Sequence, residues 1–242
     1  MIKKDIVFNN PINSIVDFKF DGKVANVFED MLKRSIPGYA TIISTTGVLT
    51  KLYAKSNSNF YDLGSSLGAS AMSMQQNIIH ANCKIIAVDN SEAMINRSKE
   101  LLDKSESSTP IELVCDDIRN VEIENASVVV LNFTLQFIEP DIREIIIQKI
   151  YDGLNKGGIL ILSEKIVFND NDLNKRQIKR YYDFKRLNGY SELEISQKRN
   201  ALENVLIPET PEQLLTKLEN TGFRNSDIWF QLFNFISIVA EK

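Results

Sequence analysis

Cysteine and histidine are scarce in this chain of 242 residues, which contains two cysteines and one histidine. Cys83 and Cys115 lack the CxxC spacing of metal and redox sites, so the sequence indicates neither a disulfide framework nor a zinc centre. His80 has no evident carboxylate partner, which argues against a Ser-His-Asp hydrolase. We therefore expect a reduced, cytoplasmic protein without a metal site.

Long apolar segments and an excess of positive charge are also missing. No apolar run approaches the ~20 residues of a membrane-spanning helix, and the start of the chain, MIKKDIVFNNPINS, lacks the apolar core of a signal peptide. Lysine and arginine total 28 against 32 aspartate and glutamate, a formal net charge of −4. Because nucleic-acid-binding proteins usually carry a basic excess, we expect no direct binding to nucleic acid and no membrane contact.

Five short runs rich in Val, Ile and Leu fill the middle of the chain, and segments of helical length separate them. The runs are NFYDLG (59–64), CKIIAVDN (83–90), IELVCDD (111–117), ASVVVLNF (126–133) and GGILILSEK (157–165). Such runs, alternating with helices at 68–81, 91–104 and 141–154, are typical of a parallel sheet buried on both faces. The aromatic-rich segment 227–242 predicts an antiparallel hairpin. The sequence thus predicts an α/β protein with a Rossmann-like class I methyltransferase fold: a mostly parallel seven-stranded sheet, a C-terminal antiparallel hairpin and extra helices.

The extra helices are predicted in the sequence before the first strand and after the fifth strand. Helical spacing occurs before and after Pro37-Gly38, and again in the polar stretch that follows the fifth strand. We expect a single methyltransferase-like domain over 1–242, with an N-terminal helical extension (1–58) and a helical insertion (166–206). The polar segment 103–110 predicts a loop.

The sharpest local signal is DLGSSLG (62–68), at the junction of the first strand and the first following helix. Small residues there let the backbone approach a ligand closely. The pattern is neither the GxGxxG of dinucleotide-binding folds nor a phosphate loop. The carboxylate of Asp62 would repel a pyrophosphate and suits a cationic ligand such as S-adenosyl-L-methionine. A tight strand-to-helix turn without a ligand is the alternative.

Polar residues also end the next three strands: Asp89-Asn90, then Asp117-Ile118, then Asn132. In open parallel sheets the carboxyl ends of the strands meet in one crevice, where ligands bind. An acid at the tip of the second strand can accept hydrogen bonds from ribose hydroxyls, and Asp117 with the neighbouring backbone could contact an adenine edge. Each residue could instead be a turn or cap residue, but four unrelated caps need not follow strand order.

Beyond these positions, longer motifs resemble one family, the carboxy-S-adenosyl-L-methionine synthases (CmoA), along nearly the whole chain. The motifs are RSIPGY (34–39), DLGSSLG (62–68), NCKIIAVDNSEAMI (82–95), ENASVVVLNFTLQF (124–137), LSEK (162–165), DFKRLNGYSELEISQKR (183–199) and LENV (202–205). The resemblance implies a binding site for S-adenosyl-L-methionine formed by Tyr39, Gly64, Ser65, Ser66, Asp89, Asn90, Asp117, Ile118, Asn132 and Arg199. Tyr39 and Arg199 come from the resemblance alone. The chain departs from the family at Ser65, where many relatives carry cysteine, and at Tyr181-Tyr182, where relatives often carry histidine.

The resemblance also implies a transferase reaction in which S-adenosyl-L-methionine and prephenate give carboxy-S-adenosyl-L-methionine, phenylpyruvate and water. A partner tRNA carboxymethyltransferase would use the product to make uridine-5-oxyacetate at the tRNA wobble position. Arg199 is the expected catalytic residue, since a guanidinium offers two donors to the new carboxylate. The family implies a homodimer in which Arg199 could act across the interface.

Three other functions remain open from the sequence. An ordinary S-adenosylmethionine-dependent small-molecule methyltransferase would need no cation beside a plain methyl group, so Arg199 distinguishes it. A binding module that holds the ligand without turnover would release no phenylpyruvate. Direct methylation of tRNA is disfavoured by the acidic charge balance.

Overall fold

A single seven-stranded sheet forms the centre of the computed structural model, which describes residues 3–11, 17–102 and 109–242. Its strands are β1 (Asn59–Leu63), β2 (Lys84–Asp89), β3 (Ile111–Cys115), β4 (Ala126–Asn132), β5 (Leu154–Lys165), β6 (Arg224–Leu232) and β7 (Phe235–Glu241). The strand order is β3-β2-β1-β4-β5-β7-β6. The first five strands pair in parallel, while β7 runs antiparallel to both β5 and β6.

Helices cover both faces of the sheet. They are α1 (Gly22–Ala25), α2 (Phe28–Ser35), α3 (Tyr39–Tyr53), α4 (Ala69–Gln75), α5 (Glu92–Leu102), α6 (Arg143–Gly153), α7 (Asn171–Leu187), α8 (Glu192–Leu202) and α9 (Pro211–Thr221). One apolar core joins α6 and α9 to the sheet, and a second joins α4 and the end of α3 to its other face. This layering buries the inner parallel strands β2, β1, β4 and β5 on both sides, which explains their continuous apolar sequences. The edge strand β3 stays partly exposed.

A third apolar cluster attaches the N-terminal helices to the edge of the crevice. Phe28 and Met31 of α2 pack with Leu67, which follows β1, and with Met94 of α5. The N-terminal helices therefore lie against the loop that follows β1 and against helix α5.

The predicted sheet and hairpin are confirmed, and the chain reverses at Phe233, which has a positive φ of 54°. The predicted helix 68–81 is too long, since α4 ends at Gln75 and the chain turns to reach β2. Helix α9 was not predicted. Its signals were nevertheless present: a capping box between Thr210 and Gln213, Pro211 in the first turn and Gly222 at the end.

Of the predicted loop 103–110, only the last two positions belong to the described residues. The last two positions of the predicted helix 91–104 also lie outside the described residues. Within the described part of the chain, no helix combines the length and apolar character needed to cross a membrane.

Candidate functional site

The loop after β1 has a backbone shape that its sequence requires. Gly64 has a φ of +80°, and a Cβ there would lie 2.3 Å from Oγ1 of Thr134. The backbone N–H groups of Gly64 and Ser65 both donate to the carbonyl oxygen of Val88, at 2.8 Å each. Glycine is needed for both the left-handed conformation and the close approach. The loop is thus fixed against the end of β2.

Asp89 holds the same loop from the tip of β2. Its Oδ2 accepts the backbone N–H of Ser66 at 2.8 Å, and its Oδ1 accepts the N–H of Ser91 at 2.9 Å. A carboxylate has about four acceptor positions, so further hydrogen bonds to a ligand remain possible. The exposed Asn90 follows directly. The structure therefore brings together Gly64, Ser65, Ser66, Asp89 and Asn90.

Asp62 contributes a second buried carboxyl group to this edge of the sheet. Its side chain is 2% exposed, and its Oδ2 accepts the N–H of Ala71 at 3.0 Å. Burial above all, with a smaller contribution from the neighbouring Asp89, raises the pKa of Asp62 to about 7 against the opposing effect of the Ala71 hydrogen bond. Tyr39, at the start of α3, lies in the same crevice, since its ring centroid is 6.5 Å from that of Phe133, which directly follows β4. Burial and then Asp62 raise the pKa of Tyr39.

The tip of β3 adjoins that of β2, because the N–H of Asp116 donates to the carbonyl oxygen of Asp89 at 3.2 Å. Asp117 is already paired within the chain: Arg119 donates to it from Nε at 2.8 Å and from a terminal nitrogen at 2.7 Å. The Arg119 hydrogen bonds lower the pKa of Asp117. Ile118 is buried, so this tip offers an apolar side chain next to a neutralised carboxylate.

Asn132, at the end of β4, links the sheet to α4. Its Oδ1 accepts the hydroxyl of Ser163 at 2.6 Å, and its Nδ2 donates to Oγ of Ser70 at 3.0 Å. Both ends of this side chain are therefore held within the protein. Asn132 lies on the predicted edge of the sheet, with an amide already oriented by its neighbours.

Arg199 lies apart from the other predicted residues. It is exposed on α8, and its hydrogen bond within the described residues goes from Nε to Oδ1 of the adjacent Asn200, at 3.2 Å. Within the described part of a single chain, the guanidinium thus forms no hydrogen bond with another of the predicted residues.

Several charged residues near the crevice were not predicted from the sequence. Lys165 ends β5, and Lys185 and Lys198 lie on α7 and α8, where they are 3% and 5% exposed. Lys165 carried a usable signal, since it ends a strand of the parallel sheet. The two helical lysines carried none, because each stands in a helix where many charged residues alternate with apolar ones.

Metal binding finds no support among the described residues, since no group of three or more His, Cys, Asp or Glu side chains is arranged to hold an ion. The described side chains instead give a crevice with two buried carboxyl groups, small residues and oriented polar groups. Such a site suits a positively charged ligand that also carries hydroxyl groups.

Comparison with known proteins gives matches along the whole chain. A family model described as a methyltransferase domain matches residues 60–158. A carboxy-S-adenosyl-L-methionine synthase of Citrobacter koseri is 53% identical over 242 residues, covering 100% of this chain and 98% of that protein. A synthase of the same name from a Geobacter species is 55% identical over 241 residues, covering 99% of each.

Among solved structures, human N-acetylserotonin methyltransferase in complex with S-adenosyl-L-methionine superposes with a TM-score of 0.61 at 17% identity. The match covers 91% of this chain and 55% of that one. At this identity the likeness bears on the fold alone, and together with the family match it confirms the predicted methyltransferase fold.

Proposed function

Because the chain belongs to the carboxy-S-adenosyl-L-methionine synthase family, we propose that it is a transferase that makes carboxy-S-adenosyl-L-methionine from S-adenosyl-L-methionine and prephenate. The family membership rests on more than half of all residues being identical along the full chain. The site geometry supports the S-adenosyl-L-methionine part of the proposal, and the identity of the second substrate comes from the family.

The observation that carries the proposal is the pair of buried carboxyl groups at the first two strand tips. Asp62 and Asp89 repel each other and lose hydration, so a cation between them would be stabilised. S-adenosyl-L-methionine carries a sulfonium and an ammonium group. Its ribose hydroxyls can donate hydrogen bonds to Asp89. The hydroxyl of Ser65 is buried and has no partner among the described residues, which leaves a polar atom available to this ligand.

The ten residues proposed to bind S-adenosyl-L-methionine are Tyr39, Gly64, Ser65, Ser66, Asp89, Asn90, Asp117, Ile118, Asn132 and Arg199. Nine of them lie at the carboxyl edge of the sheet or on the adjoining start of α3. Arg199 is the exception, and we propose that it reaches the site of a second copy in a homodimer. Its exposure on α8 supports this arrangement.

The proposed reaction balances without an added oxidant or base. The cyclohexadiene ring of prephenate becomes aromatic by losing its carboxyl group as carbon dioxide and its hydroxyl group as hydroxide. The S-methyl carbon gives a proton to that hydroxide, forming water, and makes a new C–C bond to carbon dioxide. The products are phenylpyruvate, water and carboxy-S-adenosyl-L-methionine. Arg199 would hold the new carboxylate with two hydrogen bonds.

The position of the histidine supports hydroxide as the proton acceptor. His80 and its partner Ser56, whose Oγ lies 3.4 Å from the ring Nδ1, precede β2 and β1. They therefore lie at the amino edge of the sheet, opposite the crevice. Helices α1 and α2, which pack on Leu67, would exclude water from the reacting carbon.

We further propose that the protein works in the cytoplasm and hands its product to a tRNA carboxymethyltransferase. Cys83 and Cys115 are both free, which fits a reducing compartment. The net charge of −4 supports a role in supplying the modification rather than in binding the tRNA itself.

The proposal is tested by incubating the purified protein with S-adenosyl-L-methionine and prephenate and analysing the products by mass spectrometry. We expect equal amounts of phenylpyruvate and of a species heavier than S-adenosyl-L-methionine by one carbon dioxide unit. Formation of S-adenosylhomocysteine with an added methyl acceptor instead would identify an ordinary methyltransferase. If no product formed, the synthase proposal would be refuted, and a binding module without turnover would be the remaining interpretation.

We expect the affinity for S-adenosyl-L-methionine to rise with pH because of Asp62. In the free protein burial raises the pKa of Asp62 to about 7, whereas a bound cation stabilises its ionised form, so binding releases a proton below that pH. The association constant should therefore increase between about pH 6 and pH 8 and then level off. Calorimetric titration across this range measures the effect.

The matched variant for this test is Asp62→Asn, which keeps an oxygen to accept the Ala71 N–H. The amino group of the ligand titrates equally in both proteins, so the difference between their pH profiles isolates Asp62. Parallel profiles would contradict the assignment of Asp62 to the cation.

A further inference from the structure

Next to the crevice, three lysines converge on two tyrosine rings. The ammonium groups of Lys165 and Lys185 lie 5.6 and 4.7 Å from the ring centroid of Tyr181, and that of Lys198 lies 5.3 Å from the centroid of Tyr190. Tyr181 is 7% exposed. Aromatic faces attract cations but do not neutralise them. The two rings therefore leave the ammonium groups of this lysine cluster without a neutralising negative charge.

The carboxylates around the lysine cluster do not balance that charge. Asp5 is buried, lies 3.7 Å from Nζ of Lys198 and accepts the hydroxyl of Tyr190. Neither Lys165 nor Lys185 has a carboxylate within ion-pair distance in the described ranges. Burial, followed by repulsion from Lys198 and Lys165, lowers the pKa of Lys185 well below its usual range. Uncompensated buried ammonium groups are costly unless they pair with an anion.

A row of aromatic rings joins the lysine cluster to the site of the first substrate. Tyr39 lies 6.5 Å from Phe133, Phe133 lies 6.1 Å from Phe235, and Phe235 lies 5.1 Å from Tyr181, all measured between ring centroids. Lys165 pairs with Phe235 in the sheet and is only half-buried as a residue. The lysine cluster and the adenosyl site thus share one wall.

We propose that Lys165 and Lys185 form an anion subsite that binds a carboxylate of the second substrate, while the aromatic row lines the pocket for its six-membered ring. This inference rests on the proposed function for the identity of that substrate, prephenate. Its physical basis is independent: two ammonium groups with no carboxylate partner among the described residues flank an aromatic wall beside a ligand crevice. Lys198, already paired with Asp5, strengthens the positive field without binding the anion directly.

The subsite binds the side-chain carboxylate, which survives in phenylpyruvate, and not the ring carboxylate. The ring carboxylate must lose its charge to leave as carbon dioxide, and an ion pair with an ammonium group would oppose that loss. The carboxylate next to the keto group keeps its charge throughout, so holding it positions the ring at no cost to the reaction. The aromatic row is then placed to contact the ring as it becomes planar.

The test is the kinetics of Lys185→Met, which keeps the length and the apolar stem of the side chain but removes its charge. A charge-assisted hydrogen bond contributes enough that we expect KM for prephenate to rise about 30-fold. The dissociation constant for S-adenosyl-L-methionine should stay within about threefold, because Lys185 lies outside that site. Removing an uncompensated buried charge should leave the melting temperature unchanged or raise it.

Lys179→Met is the matched control, since Lys179 is exposed on the same helix, and its KM for prephenate should equal that of the wild type. Lys165→Met supplies a second variant at a half-buried position, with the same expected rise in KM. An unchanged KM in Lys185→Met and Lys165→Met overturns the proposal. So does a fall in melting temperature together with lost affinity for S-adenosyl-L-methionine, which would indicate a purely structural role.

Measuring the binding of prephenate to the protein directly tests the anion subsite independently of whether the protein is a synthase. If the wild type made no product, the synthase assignment would fail, and the subsite would be tested by equilibrium dialysis with prephenate. Binding to the wild type and to Lys179→Met, but not to Lys185→Met, would support the subsite even then. Equal binding to all three proteins would refute it.

Discussion

Replacement of Arg199 by alanine is expected to lower kcat/KM for carboxy-S-adenosyl-L-methionine formation about 100-fold, since losing one partner of a desolvated charge pair costs about 2–5 kcal/mol. The dissociation constant for S-adenosyl-L-methionine, which lacks the new carboxylate, should change less than about threefold. Steady-state kinetics and calorimetry measure the two effects. Arg180→Ala is the control, because Arg180 is exposed on the neighbouring helix α7. Equal losses in both variants would contradict a specific role for Arg199.

Mixed dimers test whether Arg199 acts on a second copy of the chain. When Arg199→Ala and Asp89→Ala chains are produced together, each pure dimer has two damaged sites. If Arg199 crosses the interface, a mixed dimer has one intact site, and random assembly restores about one quarter of the wild-type activity. If Arg199 serves its own chain, every site stays damaged and activity is not restored.

The second large effect is expected at Asp89. Asp89→Ala removes the acceptors of the Ser66 and Ser91 N–H groups and those proposed for the ribose hydroxyls. Because hydrogen bonds to a charged group contribute about 1.5–3 kcal/mol each, the affinity for S-adenosyl-L-methionine should fall at least about 100-fold. Isothermal titration calorimetry checks this. KM for prephenate, measured at saturating S-adenosyl-L-methionine, should change much less.

Two further variants make the Asp89 result specific. Asp89→Asn keeps the shape and one acceptor oxygen, so its affinity should lie between those of the wild type and Asp89→Ala. Asp227→Ala removes an exposed aspartate on β6 and should bind as the wild type does. If Asp89→Ala bound S-adenosyl-L-methionine with wild-type affinity, the proposal that Asp89 contacts this ligand would be wrong.

The sequence was most informative where a local rule determines both structure and position. Gly64 could be recognised because only glycine fits the left-handed turn close to Thr134. Asp89 could be placed because the end of an apolar run is also the end of a buried strand. Both inferences need only the neighbouring residues and the topology of a parallel sheet.

The rest of the site depends on contacts between distant parts of the chain. Lys185 lies in a helix whose other charges face solvent, so its burial follows from packing against Tyr181 and not from its own sequence. Asp117 seemed a free acceptor, yet Arg119 occupies both of its oxygens. Arg199 could be selected only by family resemblance, since an arginine in a polar helix carries no local signal.

The pairing of Asp5 with Tyr190 joins residues 185 positions apart, and this has a consequence for the order of events on the ribosome. The strands that end at Asp62 and Asp89 emerge early and can pair while translation continues. The positive side of the crevice must wait until helix α8 has left the exit tunnel and found the N-terminal segment. The carboxylate side and the lysine side of the crevice therefore form at different stages of synthesis.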